Sequence, residues 1–203
     1  SQRFDGYKGA AKLWPRTNSP EAWGVETNFS IDIPPRLLTS VQHLAQNLRT
    51  TPFAVILTTW ALAVANREEG RNDIVVGVPV DGRVRRELTD LVGLFVTMIP
   101  VRLRIDPSST FEHAITDTST SFFEDFAHAG LPLESITRQI ATERNAGRTP
   151  LIDVTCQLQY SDGSRQALGP YPVERVAPRP QEAKFPLSLS IVFESDQGSG
   201  AIT

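Results

Sequence analysis

Hydrophobic residues recur along the chain with two different spacings, which predict a mixture of strands and helices. Residues 25–33, VETNFSIDI, alternate between apolar and polar side chains, which is typical of a half-buried strand. Pro34 and Pro35 end this strand and open an amphipathic helix over residues 35–48. A second helix, with Thr51 as its N-cap, is apolar on almost every side from 53 to 65, which predicts that it is buried centrally.

The rest of the chain predicts further strands and two more helices. Two β-branched runs, at 74–80 and 94–105, each contain a proline that cannot donate a ladder hydrogen bond. We expect Pro79 to place the first strand at a sheet edge or to end it, and Pro100 to interrupt the second. The remaining elements are predicted in this order: a helix with a capping box at 109–112 that stops at Gly130, a helix from Pro132 to about Thr142, and strands at 151–160, around 173–176 and at 187–194.

The order of these elements predicts the fold class. Strands and helices intermingle without strict alternation and without an internal repeat, which favours an α/β (α+β) two-layer sandwich, a mixed sheet with helices packed on one face. Residues 1–24 are rich in glycine and proline and show little periodicity, so we expect an irregular segment there. The folded unit is predicted to span residues 25–203.

Composition narrows the possible functions. The chain has 203 residues, 40% of them hydrophobic, a length that suits one domain or one lobe. Its formal net charge of −3 does not indicate a basic surface for binding nucleic acid. No apolar run approaches the ~18 residues of a membrane span, and the first residues lack the apolar core of a signal peptide, so we expect a cytoplasmic protein without membrane contact. The single cysteine, Cys156, excludes an internal disulfide and a multi-cysteine metal site.

Catalytic motifs are absent from the sequence. The three histidines are His43, His113 and His128, and the first two fall on the polar sides of predicted helices. No HExxH, GxGxxG, GxxxxGK(S/T) or GxSxG pattern occurs. We therefore predict no self-contained catalytic site and no metal site in this chain.

Five segments carry a family resemblance. Residues 75–83, VVGVPVDGR, and 92–102, VGLFVTMIPVR, are followed by 128–134, HAGLPLE, by 144–151, RNAGRTPL, and by 183–194, AKFPLSLSIVFE. In this order they resemble the motifs of condensation domains in nonribosomal peptide synthetases, although Thr97 and Met98 replace the usual Asn and Thr. The motif positions to which the resemblance gives a structural role are Gly93, Phe95, Arg102, His128, Pro132, Glu134 and Pro150.

The resemblance implies one half of a two-lobed domain of the chloramphenicol-acetyltransferase-like superfamily. All matched motifs belong to the family's C-terminal lobe, whereas the catalytic HHxxxDG motif belongs to the N-terminal lobe and does not occur here. The expected parent is an acyltransferase that forms amide bonds between acyl groups bound to carrier proteins. The chain is then a C-terminal lobe, truncated before its last helix and inactive alone, whose partners are the N-terminal lobe and peptidyl carrier proteins.

The resemblance also suggests site residues. Thr97, Gln157, Gln159 and Tyr160 are candidates for lining the reaction tunnel. Arg144 and Arg148 are candidates for docking the acceptor carrier at the phosphate of its 4′-phosphopantetheine arm, since a guanidinium can bind phosphate through two donors. No cofactor is expected to bind the chain itself.

Two other functions stay open at this point. A condensation-like module without activity that recruits a partner enzyme would fit the unusual pair Thr97–Met98, and a free-standing acyltransferase of the same superfamily would fit the fold. A lobe without its twin also exposes the face that met it. We therefore expect an apolar patch on strand 94–102, around Thr97 and Ile99, or on strand 151–160, and self-association through it in a crystal.

Overall fold

The structure is a computed structural model, and it describes residues 2–7, 28–67, 71–83, 85–139, 151–152, 154–161, 167–168, 171–172, 185–194 and 200–202. The four helices are α1 (Pro35–Asn47), α2 (Pro52–Arg67), α3 (Phe111–Phe126) and α4 (Leu133–Gln139) in this part of the chain. The strands there are β1 (Ile31–Ile33), β2 (Asp73–Asp81), β3 (Val96–Arg104), β4 (Val154–Ser161), β5 (Ala167–Leu168), β6 (Tyr171–Pro172), β7 (Leu187–Glu194) and β8 (Gly200–Ile202). Single 3-10 turns lie at Gln2–Phe4 and Arg86–Leu88.

Six strands form one mixed sheet in the order β1-β8-β7-β4-β2-β3. β4 runs parallel to both β2 and β7, and the other pairs are antiparallel. The carboxyl ends of β2, β4 and β7 therefore meet the start of β3 at one end of the sheet. β5 and β6 form a separate two-stranded hairpin. The predicted mixed sheet is confirmed.

The three long helices cover one face of this sheet. Alternate residues of β2 from Ile74 to Val80 pack with Leu57 and Ala61 of α2 and with alternate residues of β3, β4 and β7 in the main core. We call this the helix face. The predicted central burial of α2 is confirmed, because seven of its residues, from Ala54 to Val64, are buried. The Thr51 side chain accepts from the backbone N–H of Ala54 at 3.2 Å, as its predicted capping role requires.

The opposite face is divided into two halves. Over β2 and β3, a second apolar cluster unites Phe4, Val75, Leu151 and Ile152, with α4 packed against it. The two-layer arrangement thus holds for α1–α3, while the short α4 lies on the other side. Close packing there explains why position 77 is a glycine, because a Cβ at Gly77 would lie 2.6 Å from a methyl carbon of Ile152. The half over β4 and β7 is polar.

The two strand prolines are tolerated because of the register of the β2–β3 ladder. Gly82 N–H donates to Phe95 O, and Ile105 N–H donates to Asn72 O, so the hydrogen-bonded pairs fall on the even residues of β2. Pro79 and Pro100 stand opposite Met98 and Gly77, at pairs without ladder hydrogen bonds. No ladder donor is lost between these strands.

The expectation for Pro79 was therefore wrong. β2 lies inside the sheet and continues to Asp81, and its pairing with β4 is at Val76 and Gly77, ahead of the proline. Nor does Pro100 interrupt β3, which is the edge strand, where a missing donor is least costly. α3 packs against β3, which lies at this edge of the sheet.

Other element bounds differ from expectation. β1 covers Ile31–Ile33 alone among residues 28–33, because its partner β8 is three residues long and residues 28–30 are exposed. The N-cap of α3 is Thr110 instead of Ser109, and the helix ends at Phe126, before Gly130. The predicted strand around 173–176 lies outside the described residues, and β5, β6 and β8 were not predicted. In the described ranges, no single helix is long and apolar enough to cross a membrane. Only α1 and α2 taken together have sufficient length and apolarity there, and the two helices are bent by 106° relative to each other.

Candidate functional site

Two of the motif segments meet at the end of the β2–β3 hairpin, and Arg83 joins them. Its guanidinium lies 4.3 Å from the centroid of the Phe95 ring, a cation–π contact. The same group pairs with the Asp81 carboxylate at 3.2 Å and donates to the backbone oxygen of Leu91 at 3.2 Å. One side chain thereby fixes the start and the end of the loop 83–95. We call these contacts the Arg83 clasp.

The motif glycines allow the clasp to close. Gly82 N–H donates to Phe95 O at 2.8 Å, and a Cβ at Gly82 would lie 2.5 Å from that oxygen. A Cβ at Gly93 would lie 3.1 Å from the Phe95 ring. Gly93 and Phe95 are therefore residues of local structure in this arrangement, and neither supplies a reacting group.

The clasped loop presents an apolar strip, residues 91–96, which we call the apolar arm. Val92 is fully exposed and Leu94 is 92% exposed, while Leu91 and Val96 are each more than half exposed. The expected position of the exposed patch was partly wrong: Ile99 is 3% exposed and belongs to the main core, since it lies opposite Val78 on the helix face.

The Arg102 side chain forms hydrogen bonds to groups of the chain itself. Its guanidinium donates to both carboxylate oxygens of Asp73, at 2.9 and 2.6 Å, and to the backbone oxygens of Arg3 and Asp5, each at 2.9 Å. The hydrogen bond with Asp73 raises the pKa of Arg102 above its ordinary value. The side chain thus fastens residues 3–5 to the sheet.

A polar surface occupies the β4–β7 half of the second sheet face. Register places Thr155 and Gln157 of β4 beside Ser188 and Ser190 of β7, and Gln159 beside Val192. The Gln157 amide donates to the Ser190 hydroxyl at 3.0 Å, and Gln159 is exposed. We call this row the polar face. Glutamine and serine side chains both donate and accept hydrogen bonds, so the row can bind amide and carbonyl groups of a ligand.

The four predicted tunnel-lining residues do not lie together. Thr97 stands opposite Val80, and Tyr160 opposite Phe193, so both are on the helix face, whereas Gln157 and Gln159 are on the polar face. Tyr160 is 69% exposed and packs edge-to-face on Phe193 with a centroid distance of 5.5 Å. Partial burial raises the pKa of Tyr160. The residues share one end of the sheet, but adjacent positions of a strand point to opposite faces.

Cys156 is inert in this setting. It points into the main core, opposite to Gln157, and its exposed fraction is 0%. Burial raises the pKa of the Cys156 thiol to about 12, so the thiolate is not available at neutral pH. The residue packs as a small apolar side chain.

The remaining motif residues are distributed over the loop between α3 and α4 and beyond it. The ring Nδ1 of His128 lies 2.9 Å from the backbone oxygen of Glu124, at the carboxyl end of α3. The Pro132 carbonyl accepts from Ser135 N–H at 2.9 Å where α4 begins, and Glu134 is exposed in its first turn. Arg144, Arg148 and Pro150 lie outside the described residues. No group of three or more potential metal-ligating side chains occurs among the residues described.

The sequence reasoning missed the clasp. Its signal was present in two places: Arg83 ends the segment VVGVPVDGR, and the run LVGLFV at 91–96 places apolar residues at consecutive positions without a polar face. It also missed Arg3, which forms ion pairs with Glu124 and Asp125 of α3 at 2.9 and 2.8 Å. No spacing rule predicts a contact between positions so far apart.

Comparison with known proteins gives a consistent family. The sequence matches the family model of the condensation domain over residues 1–199. The phosphinothricin tripeptide synthetases PhsB and PhsC of Streptomyces viridochromogenes are 34% identical over 163 residues and 31% identical over 187. Tyrocidine synthase 2 of Brevibacillus parabrevis is 30% identical over 185 residues. These alignments cover 79%, 92% and 88% of this chain but 14%, 17% and 5% of the relatives, so the chain spans a small part of their length.

Solved structures show the same fold. The X-domain from teicoplanin biosynthesis superimposes with a TM-score of 0.82 at 18% identity, over 99% of this chain and 46% of that one. The condensation domain from the monacolin K polyketide synthase MokA gives a TM-score of 0.74 at 16% identity, over 95% of this chain and 45% of that one. The predicted architecture is confirmed, and this chain spans less than half of each.

Proposed function

The chain belongs to the condensation-domain family of nonribosomal peptide synthetases, and from this premise we propose that it is the C-terminal lobe of a domain that forms an amide bond between two carrier-bound acyl groups. The order of its motifs supports this assignment. The structural alignments support it too, because they include 95–99% of this chain but less than half of the MokA condensation domain and of the X-domain.

In the proposed reaction an acceptor amine attacks the carbonyl carbon of a donor thioester. A C–N bond forms, the C–S bond breaks, the donor's pantetheine thiol leaves, and the amine loses a proton. Proton transfer of this kind needs a base within hydrogen-bond reach of the amine. The described residues offer no histidine on the polar face, so we assign the base to the other lobe and a binding role to this one.

We assign the polar face to the wall of the reaction tunnel, and its accessible row of Gln157, Gln159 and Ser190 is the observation that carries the proposal. The sheet surfaces under the helices and under α4 are apolar and filled by side chains. The polar face instead offers donors and acceptors at the spacing of alternate strand residues, about 6.6 Å for a rise of about 3.3 Å per residue. A pantetheine arm and a peptide both carry amide groups that such a row can bind.

Carrier docking completes the proposal. Arg144 and Arg148 are assigned to the phosphate of the acceptor carrier's 4′-phosphopantetheine arm, on the strength of the motif that contains them. Guanidinium groups bind phosphate through two parallel hydrogen bonds, which sets orientation as well as affinity.

Adjacent residues of β4 provide a matched test of the polar face. In the intact two-lobe domain, Gln159→Trp should slow single-turnover condensation by at least about tenfold, because the indole would obstruct a bound arm and displace the reacting atoms. Tyr160→Trp, one residue along but on the helix face, should leave the rate within about twofold. Both variants should keep the wild-type melting temperature. Equal rates for the two variants would remove the polar face from the tunnel.

A recruitment module is the second candidate, and the departure at Thr97–Met98 favours it. This function requires a folded two-lobe domain that binds a partner enzyme and forms no amide bond. The same single-turnover assay separates the two functions, because the wild-type domain would yield no dipeptidyl product with any loaded carrier pair if recruitment were its role.

A further inference from the structure

Residues 2–7 run over the second face of the sheet as a fastened segment, which we call the entry strap. Phe4 is 7% exposed and belongs to the second apolar cluster, and Tyr7 packs against that cluster. Tyr7 N–H donates to Phe4 O at 3.1 Å, and Gly6 between them has a φ of 73°, so the strap ends in a tight turn. Segments at the margin of a folded unit stay loose unless specific contacts tie them down, and the entry strap has such contacts.

The inner side of the entry strap is fixed to the sheet. The Arg102 side chain is 4% exposed and donates to the backbone oxygens of Arg3 and Asp5 as well as to the Asp73 carboxylate. Opening these bonds would leave buried polar groups without partners, which is costly. The backbone of residues 3–5 therefore moves with the sheet.

The outer side of the entry strap is fixed to α3 by the Arg3 side chain. Its guanidinium lies 2.8 Å from the Asp125 carboxylate and 2.9 Å from that of Glu124, and it donates to the Ser121 backbone oxygen at 3.1 Å. We call these contacts the Arg3 brace. The Arg3 side chain is 33% exposed and that of Glu124 is 60% exposed. The brace can therefore open without uncovering the apolar core, and salt weakens its exposed part.

We propose that the Arg3 brace sets the angle between this lobe and the other lobe of its condensation domain, with Arg3 as the positioning residue. The inference rests on the proposed function, in which the catalytic lobe lies upstream and its polypeptide arrives through the entry strap. Solved folds that match 99% of this chain are more than twice its length, since it covers 43–46% of them. A small rotation at the strap is thus amplified over a body of comparable size.

The brace decides whether the outer end of the strap has one orientation or many. With the brace closed, the 3-10 turn Gln2–Phe4 is held between two anchors, the sheet and α3. With the brace open, that turn is held on its inner side alone, and a three-residue 3-10 turn has little stability of its own. Hinges between domains are a few residues of this kind, which absorb large changes in φ and ψ.

The angle between the lobes matters because the proposed reaction joins atoms that are held by both lobes. A misplacement of about 1 Å can slow a reaction about 100-fold. The braced end of α3 also continues into the motif segment 128–134, and Leu133 and Ile136 of α4 pack against the same cluster as Phe4. The brace therefore links the entry strap to a motif segment as well as to a helix.

Spin-label distances in the intact two-lobe domain, measured by double electron–electron resonance, test the brace. One label is attached through Gln42→Cys, at an exposed position of α1, and the other at an exposed helix position of the upstream lobe. Arg3→Met should broaden the interlobe distance distribution of the folded domain at least about twofold, because the upstream chain is no longer held against α3. Arg67→Met, an exposed arginine in the last turn of α2, is the control and should leave the distribution unchanged.

Salt provides a second measurement, which needs no substitution in the brace. Raising NaCl from about 0.1 M to about 1 M shortens the screening length from about 10 Å to about 3 Å, so the wild-type distribution should broaden and that of Arg3→Met should not change further. A wild-type width in folded Arg3→Met, or equal broadening by salt in both proteins, would overturn the proposal. Condensation activity together with that result would refute the brace alone, whereas the expected broadening in a domain that forms no amide bond would refute the proposed reaction alone.

Discussion

At the scale of single residues, the two motif arginines of the β2–β3 hairpin have similar tasks. Arg83 joins an acidic side chain, a carbonyl and an aromatic ring across the loop 83–95, and Arg102 joins Asp73 to two carbonyls of residues 3–5. Each uses the planar fork of the guanidinium, which lysine lacks. Arg102 thereby joins segments that are distant in sequence, whereas Arg83 closes a local loop.

Arg102→Met should destabilise the chain by about 2–3 kcal/mol, because it leaves the Asp73 carboxylate and two backbone oxygens without their donor. The loss is smaller than for a fully buried pair, since the Asp73 side chain is 35% exposed. Urea denaturation monitored by circular dichroism measures it. Arg104→Met, at an exposed position two residues along the same strand, is the control and should change stability by less than about 0.5 kcal/mol.

Cys156 should resist alkylation in the folded chain. Its pKa of about 12 lies above the ordinary value of a thiol, so the reactive thiolate is scarce at pH 8 and increases only as the pH approaches 12. Mass spectrometry after iodoacetamide treatment at pH 8 should detect no adduct on the folded protein and one adduct in urea. Stoichiometric labelling without urea would contradict the burial of this side chain.

At the scale of elements, the sequence predicts which long helices and strands exist better than it predicts where strands end. The strands β2, β3, β4 and β7 and the helices α1–α4 were all predicted, from apolar and β-branched patterns together with the cap, turn and proline residues that bound them. Strand ends and short strands depend on partners instead: β1 and β8 are three residues each, and β8 pairs with β1 on one side and with β7 on the other. The pattern of residues within one short segment does not determine which other strand that segment pairs with.

Gly82→Ala should destabilise the hairpin by about 1–3 kcal/mol, because the new Cβ would overlap a backbone oxygen that cannot move without breaking the ladder. That oxygen, of Phe95, would be 2.5 Å away. Gly130→Ala is the matched control, since nothing lies within 4 Å of its Cβ position. Thermal unfolding followed by calorimetry distinguishes them, and equal melting temperatures for the two variants would show that the Gly82 contact is not tight.

At the scale of the whole molecule, the fold was more predictable than the site. Motif order led to the correct family, and the order of strands and helices led to the correct sheet class, since both are properties of many residues together. The site candidates failed to converge because face assignment across strands requires register: Thr97 and Gln159 lie near one end of the sheet, yet register sets them on opposite faces. The apolar arm escaped notice because its exposure depends on the clasp, a contact between side chains and backbone across a loop.

In the proposed division of roles, this lobe binds and positions carrier-bound substrates while the other lobe supplies the base. This division is tested most directly by a single-turnover condensation assay on the isolated chain and on the intact two-lobe domain, with the same loaded donor and acceptor carrier proteins. We expect dipeptidyl product from the two-lobe domain and none above the buffer blank from the isolated chain. Product formed by the isolated chain would contradict it, as would a folded two-lobe domain that forms none.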